Sequence, residues 1–273
     1  MAKRIISAAL CVTLLLGLCV PACAAGEDEE SYQGSVPAEI VVDGAVLEYR
    51  GQLLNGTTRV SLREIALALC PEAEAELEEG SLTVTGEGFA LTAKVGCKYF
   101  EVNGRPLYVA EGLGEDEAGG PMAPVRTLAA ALGAQVGWDG RVLLTTGGEP
   151  LESADTFYDA TDLDLISRVI MHESGNQSLE GKIAVGNVIL NRVNDTGKSF
   201  PNTVKGVLDQ KNQFPGATKV SYVNRESLVA AKLALEGVMI VPGACWFNRK
   251  GLTCWASRNK AKLATIGNHD FYG

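Results

Sequence analysis

"VIMHESGNQSLEGKIAVGNVILNRV" (169–193) decides how the second half of this chain is read. Working back from it, Leu163, Ile166 and Ile170 mark one helical face at i, i+3 and i+7, and Glu173 falls at i+10 on that same face. The spacing predicts a helix that aims a carboxylate inward in its last turn. Thr161 followed by Asp164 reads as a capping-box-like start, with Asp162 and Asp164 near the positive helix end, and Gly175 reads as the C-cap. Apolar walls and the negative end of the helix dipole both disfavour an ionised carboxyl and raise its pKa. A carboxylic acid kept protonated near neutral pH is suited to general acid work. The same pattern also accommodates a buried structural pair of Glu173 with Arg168 or Arg192.

The next stretch, "SLEGKIAVGNVILNRV", is apolar nearly all round and predicts the central buried helix of this half, with Gly181 and Gly186 allowing another backbone to approach. Asn191 and Arg192 close it with polar groups. Pro201 is placed to begin a short helix, and "RESLVAAKLALEG" (225–237) predicts a further one. After Pro242 the pattern turns to short strands: "ACWFNR", "TCWASR" and "LATIGNHDFYG". Trp246, Phe247, Trp255, Phe271 and Tyr272 gather there, more as cover for the helices than as exposed platforms.

The first half reads differently. "MAKRIISAALCVTLLLGLCVPACAAGEDEE" has a basic start, an apolar run and a small-residue stop, so residues 1–24 are expected to be an export signal and 25–35 a linker. Beyond it no apolar run is long enough to span a membrane. Residues 36–147 predict a β-rich domain with an internal repeat: "VSLREIALAL" (60–69) matches "APVRTLAAAL" (123–132), pairing Arg63 with Arg126, and "GSLTVT" (80–85) matches "GRVLLTT" (140–146). Residues 148–160 read as a second linker and 161–273 as the second domain. Cys70 with Cys97, and Cys245 with Cys254, are expected as disulfides of an exported protein.

Charge divides the same way. Residues 26–150 hold 21 acidic and 8 basic side chains, residues 161–273 hold 9 and 14, within a chain of net charge −9. A basic second half suits an anionic polymer. Without a basic cluster, nucleic acid is not an expected partner. With two histidines far apart, His172 and His269, and no paired-cysteine ligand spacing, no metal or cofactor is expected either.

"VNGRPL" (102–107) and "PMAPVRTLAAALGAQVGWDGRVLLTT" (121–146) resemble the copper amine oxidase N-terminal-like module, a stalk found on exported proteins. "ISRVIMHESGNQSLEGKIAVGNVILNRV", "FPNTVKGVL", "NQF" and "ATIGNHDFYG" resemble the catalytic domain of the spore cortex-lytic, SleB-like cell-wall hydrolases. The resemblance implies an α+β protein: a two-repeat β-rich stalk, then a mainly helical, lysozyme-like catalytic domain with a small C-terminal antiparallel sheet. It implies Glu173 as catalytic acid, and Gln213, Phe214, Asn191, Arg192 and His269 as residues of the cleft and its support; Glu180 and Trp246 are added as substrate-binding candidates from the residues themselves. The implied partner is the peptidoglycan glycan strand in wall, spore or extracellular space, cut between N-acetylmuramic acid and N-acetylglucosamine by lytic transglycosylation.

That mechanism needs one carboxylate, whereas a hydrolysing glycosidase usually needs two. A hydrolysing muramidase with Glu180 as second carboxylate is the alternative, and a non-catalytic glycan-binding or spore-assembly protein is the alternative of another class. A zinc amidase lacks the HExxH pattern, and a Cys/His peptidase would have only Cys254 with His269.

Overall fold

The computed structural model describes residues 35–197, 199–211 and 213–273. The expected export segment and nearly all of the 25–35 linker lie outside the described residues. From Ser35 onward the chain forms one compact unit of mixed α+β structure built round two apolar cores.

The first core is wrapped by β1 (Val36–Val42), β2 (Ala45–Leu54), β3 (Thr57–Ser61), α1 (Leu62–Leu69), β4 (Glu74–Glu78), β5 (Ser81–Gly86), β6 (Phe89–Lys94), β7 (Tyr99–Val102), β8 (Arg105–Tyr108), β9 (Gly114–Glu115), β10 (Pro121–Pro124), α2 (Val125–Ala131), β11 (Gln135–Trp138) and β12 (Val142–Thr145). One sheet runs β11-β12-β1-β2-β3-β10-β9, and a meander runs β4-β5-β6-β7-β8. β5 and β6 alternate apolar-in, polar-out, as a half-buried strand must, burying Leu82, Val84, Phe89, Leu91 and Ala93. α1 buries Leu62, Ile65 and Ala66 at helical spacing and is capped by Ser61, which accepts from the Glu64 amide.

The repeat holds for its strand–helix units. β3–α1 and β10–α2 are the two copies, and β3 pairs with β10 antiparallel, Ser61 opposite Met122. Both copies continue into an antiparallel hairpin, β4–β5 and β11–β12, but the two hairpins join different sheets. "GSLTVT" becomes β5 in the meander, whereas "GRVLLTT" becomes β12, parallel to β1 and opposite Ile40, Val41 and Val42. What the second copy lacks is the run of strands β6 to β8 that widens β4–β5 into a separate sheet.

The connecting segment is held along its length. The Leu151 amide donates to Ala131 O (3.0 Å), and that of Ala154 to Asn103 O (2.9 Å). A single turn, α3 (Ala154–Phe157), then leads into α4 (Ala160–Ser174).

The second core is helical: α4, α5 (Leu179–Val193), α6 (Val204–Leu208) and α7 (Arg225–Leu235). A small sheet follows, made of β13 (Trp246–Arg249), β14 (Lys262–Ile266) and β15 (His269–Tyr272), with β15 central and all pairs antiparallel; a short helix, α8 (Trp255–Asn259), joins β13 to β14. α5 is the buried centre, packed on both α4 and α7, with every residue from Gly181 to Ile189 buried. Ile183, Val185, Val188 and Ile189 are fully buried, each removing apolar surface worth about 1.5–3 kcal/mol. Gly186 is required by the crossing: a Cβ there would stand 3.0 Å from Ala234 Cβ and 3.2 Å from Ile170 Cδ1.

Four local expectations are corrected. The N-cap of α4 is Asp159, which accepts from the Thr161 and Asp162 amides, because it stands one residue before the first helical turn and Thr161 stands inside it. α6 starts at Val204 under a Thr203 cap rather than at Pro201. "TCWASR" is α8 and not a strand, because Cys254 and Ser257 form a reciprocal capping box. The four cysteines stand unbonded: Cys254 is committed to that cap, Cys245 precedes β13, Cys70 ends α1, and Cys97 lies in the turn between β6 and β7. Among the described residues no helix is long and apolar enough to cross a membrane.

Candidate active site

α4 ends at Ser174, so Glu173 lies in its last turn, and the backbone leaves through Gly175 in right-handed conformation. A side chain at Gly175 would collide with the helix, since its Cβ would lie 2.5 Å from Met171 O. The loop that follows is pinned from two sides. Lys182, buried on α5, donates to Gln177 O (2.9 Å), and Gln177 Oε1 accepts from the Asn268 amide (3.0 Å). The end of α4 is thereby tied to the β14–β15 turn.

Glu173 opens on a cavity of about 440 Å³ lined also by Arg192, Gln213, Phe214, Pro215, Phe247, Asn248, Arg249 and His269. It is the one carboxylate among those lining residues. Burial raises its pKa, and the nearby His172 opposes this only in part. The two arginines that could have neutralised it are engaged elsewhere. Arg168 pairs with Asp164 at i, i+4 and donates to Val220 O. Arg192 donates through Nε to Cys245 O (2.7 Å) and through Nη1 to Gln213 Oε1 (2.7 Å). Among the described residues Glu173 has no ion-pair partner, so a structural pair is not what holds it.

His269 begins β15 and is wedged edge-on against Phe247, ring centroids 5.2 Å apart. Burial lowers its pKa, so the ring is neutral at physiological pH, and its Nδ1 is buried without a partner. One residue on, Asp270 accepts from Thr265, the Gly251 amide and Lys262, which holds its carboxyl at about 2 and braces the sheet behind the cavity.

The structure brings Glu173, Arg192, Gln213, Phe214 and His269 together. Three expected site residues lie outside that cavity. Asn191 turns its amide to Ala244 O (2.9 Å) and Val241 O, tethering the approach to β13. Trp246 packs against Phe200 and Trp255, with the Lys260 ammonium 4.3 Å from its ring centroid. Glu180 opens α5 and is taken by Lys98 and Tyr108 of the first half; burial pushes its pKa up, but the hydrogen bond and charge of Lys98 outweigh this and lower it. Sequence reasoning missed Pro215, Asn248 and Arg249. Arg249 carried no signal, but Phe247, already marked as aromatic, pointed to the strand that bears it. Among the described residues no three His, Cys, Asp or Glu side chains converge as a metal site.

Residues 176–272 match the family model described as cell wall hydrolase, and residues 41–146 match that of the copper amine oxidase N-terminal domain. Both resemblances read from the sequence are met by these matches. The first match begins just beyond Glu173. Similar proteins include the spore cortex-lytic enzyme of Oceanobacillus iheyensis, 36% identical over 69 residues (25% of this chain, 24% of that protein). That of Bacillus cereus is 33% identical over 81 residues (30% of each). The chain spans about a quarter to a third of the length of these relatives. Among solved structures, the catalytic domain of the germination-specific lytic transglycosylase SleB from Bacillus anthracis is 27% identical with a TM-score of 0.39, covering 42% of this chain and 97% of that one. The catalytic domain of the Bacillus cereus SleB protein is 28% identical with the same TM-score, covering 42% and 92%.

Proposed function

We propose that this chain cleaves peptidoglycan glycan strands between N-acetylmuramic acid and N-acetylglucosamine by lytic transglycosylation, with Glu173 as the acid. The observation that carries the reading is a cavity whose lining holds one carboxyl, partly desolvated and, among the described residues, without a counter-ion. Glu173 protonates the bridging oxygen as the bond to the muramoyl anomeric carbon breaks. The resulting carboxylate then takes the proton from the muramoyl 6-hydroxyl, whose oxygen bonds to the same carbon and closes a 1,6-anhydro ring. No water is consumed. The tethered hydroxyl has the advantage of an intramolecular nucleophile, up to ~7 kcal/mol or more when well oriented.

The similarity to spore cortex-lytic enzymes supports the substrate class and a place in the wall or spore. The second half is read as a lysozyme-like catalytic domain, and the first as a stalk that carries it. The hydrolysing muramidase is supported less well, because Glu180, its second carboxylate, is bound to Lys98 and does not line the cavity.

Mass spectrometry of fragments released from purified peptidoglycan tests the reading. The products should end in 1,6-anhydro-N-acetylmuramic acid, one water lighter than hydrolysis products, and should resist borohydride. Reducible ends, together with an inactive Glu180→Gln variant, would transfer the reaction to the two-carboxylate mechanism. No release at all would remove the enzyme reading.

A further inference from the structure

Arg192 is 4% exposed, sits in the last turn of α5, and has no carboxylate partner among the described residues. Its guanidinium lies between two rings, 5.1 Å from the Phe200 centroid and 5.3 Å from that of Phe214. Stacking of this kind fixes the plane of the fork. One arm is spent on Cys245 O and another on Gln213 Oε1, both at 2.7 Å. A guanidinium only donates, so the edge of the Gln213 amide that faces it must be the oxygen. The amide nitrogen is therefore turned away from Arg192. Among the described residues Nε2 has no protein partner, and the buried unpartnered atoms are Gln210 Oε1 and His269 Nδ1, which leaves Nε2 open to the cavity.

Phe214, Pro215 and Phe247 form the apolar part of the same lining. Phe214 holds φ at +44°, a left-handed conformation that a bulky residue before proline rarely adopts. Such a conformation persists only where the surroundings determine it, and Gln213, Phe214 and Pro215 all line the cavity. An amide donor in a lining that also carries aromatic rings matches an acetamido group, whose carbonyl accepts while its methyl packs on the rings.

We infer that Gln213 reads a sugar acetamido group in this cleft, and that Arg192 is the positioning residue that locks its amide as a donor. This deepens the proposed reading of the cavity as a wall-glycan site and rests on it.

The test uses the full chain with Gln213→Glu. A carboxylate still accepts from Arg192, with charge assistance, so the thermal midpoint should not fall, but the donor is gone. Kinetics of muropeptide release are compared on native peptidoglycan and on chemically N-deacetylated peptidoglycan, where an ammonium replaces each acetamide. The wild-type protein should favour native material. Gln213→Glu should lose at least about tenfold in kcat/KM on it, mostly through KM, and should lose or reverse the preference. Arg192→Lys keeps the charge without the fork, so it should narrow the preference. Combined with Gln213→Glu it should add little, since the two act through one contact. An unchanged preference in Gln213→Glu, or an equal loss on both substrates, would overturn the donor role. Additive effects in the double variant would overturn the positioning role. Should wild-type protein release nothing from either material, the glycan-cleaving reading itself falls and carries this inference with it.

Discussion

Glu173 is half-buried in the last turn of α4, has no ion-pair partner among the described residues, and has its pKa raised by burial from the ordinary 4.5. General acid catalysis is worth ~10²–10⁴-fold, so Glu173→Gln should cut dye release from peptidoglycan by about a hundredfold or more. Activity above a tenth of wild type would remove the acid from this position. The same shift has a sign for stability. The native state holds the proton more tightly than the unfolded chain, so wild-type stability falls as pH rises from the unfolded value through the raised native one. Glu173→Gln lacks that titration, so its thermal midpoint should fall less across the window and match or exceed wild type above it. Scans from about pH 4 to 8 check this. A variant that tracked the wild-type slope would show that the carboxyl is not desolvated. At this scale the inward position of Glu173 was legible because a helical period needs only spacing. The fate of Arg192 was not, since its partners Cys245 and Gln213 lie far along the chain.

Among the elements, α5 carries the second core, and its crossing with α4 and α7 depends on Gly186. Gly186→Val places branched carbon where Ala234 and Ile170 already stand at 3.0 and 3.2 Å. Overpacking of that kind costs about 1–3 kcal/mol. The urea midpoint should drop with the slope unchanged, and an unaltered midpoint would mean that the helices separate freely. The existence of α4, α5 and α7 was readable from the apolar period. Boundaries and the identity of α8 were not. A cysteine thiol that accepts a backbone hydrogen bond looks, in sequence, like half of a disulfide, and "TCWASR" is too short for its period to decide between helix and strand.

On the scale of the whole molecule, the meander's last strands lean on the helical core. Tyr99 and Tyr108 pack against it, Arg105 makes a two-armed contact with Glu236 at 2.8 Å on each arm, and Tyr158 donates to the same carboxylate. Lys98 holds Glu180, and Arg225 pairs with Glu101. Arg105 is 8% exposed, so Glu236→Gln would leave a buried cation without its counter-charge. The cost should fall between the ~0–1 kcal/mol of exposed pairs and the ~3–5 kcal/mol of buried ones, about 2 kcal/mol. For a unit of this size that lowers the thermal midpoint by roughly 4–8 °C. A shift within error would show that the two cores are held by packing alone.

What the sequence determined by itself is what local periodicity encodes: the α+β character, the strand–helix repeat, the central helix α5 and the inward acid. Each depends on residues within a few turns of one another. Only the tertiary structure decided which groups meet. It took Glu180 from the cleft to Lys98, moved Asn191 and Trp246 into supporting contacts, and added Asn248 and Arg249 to the lining. It also turned one amide outward from a buried guanidinium. Those outcomes depend on contacts between residues tens of positions apart, where side-chain reach and hydrogen-bond direction, not spacing along the chain, select the partner.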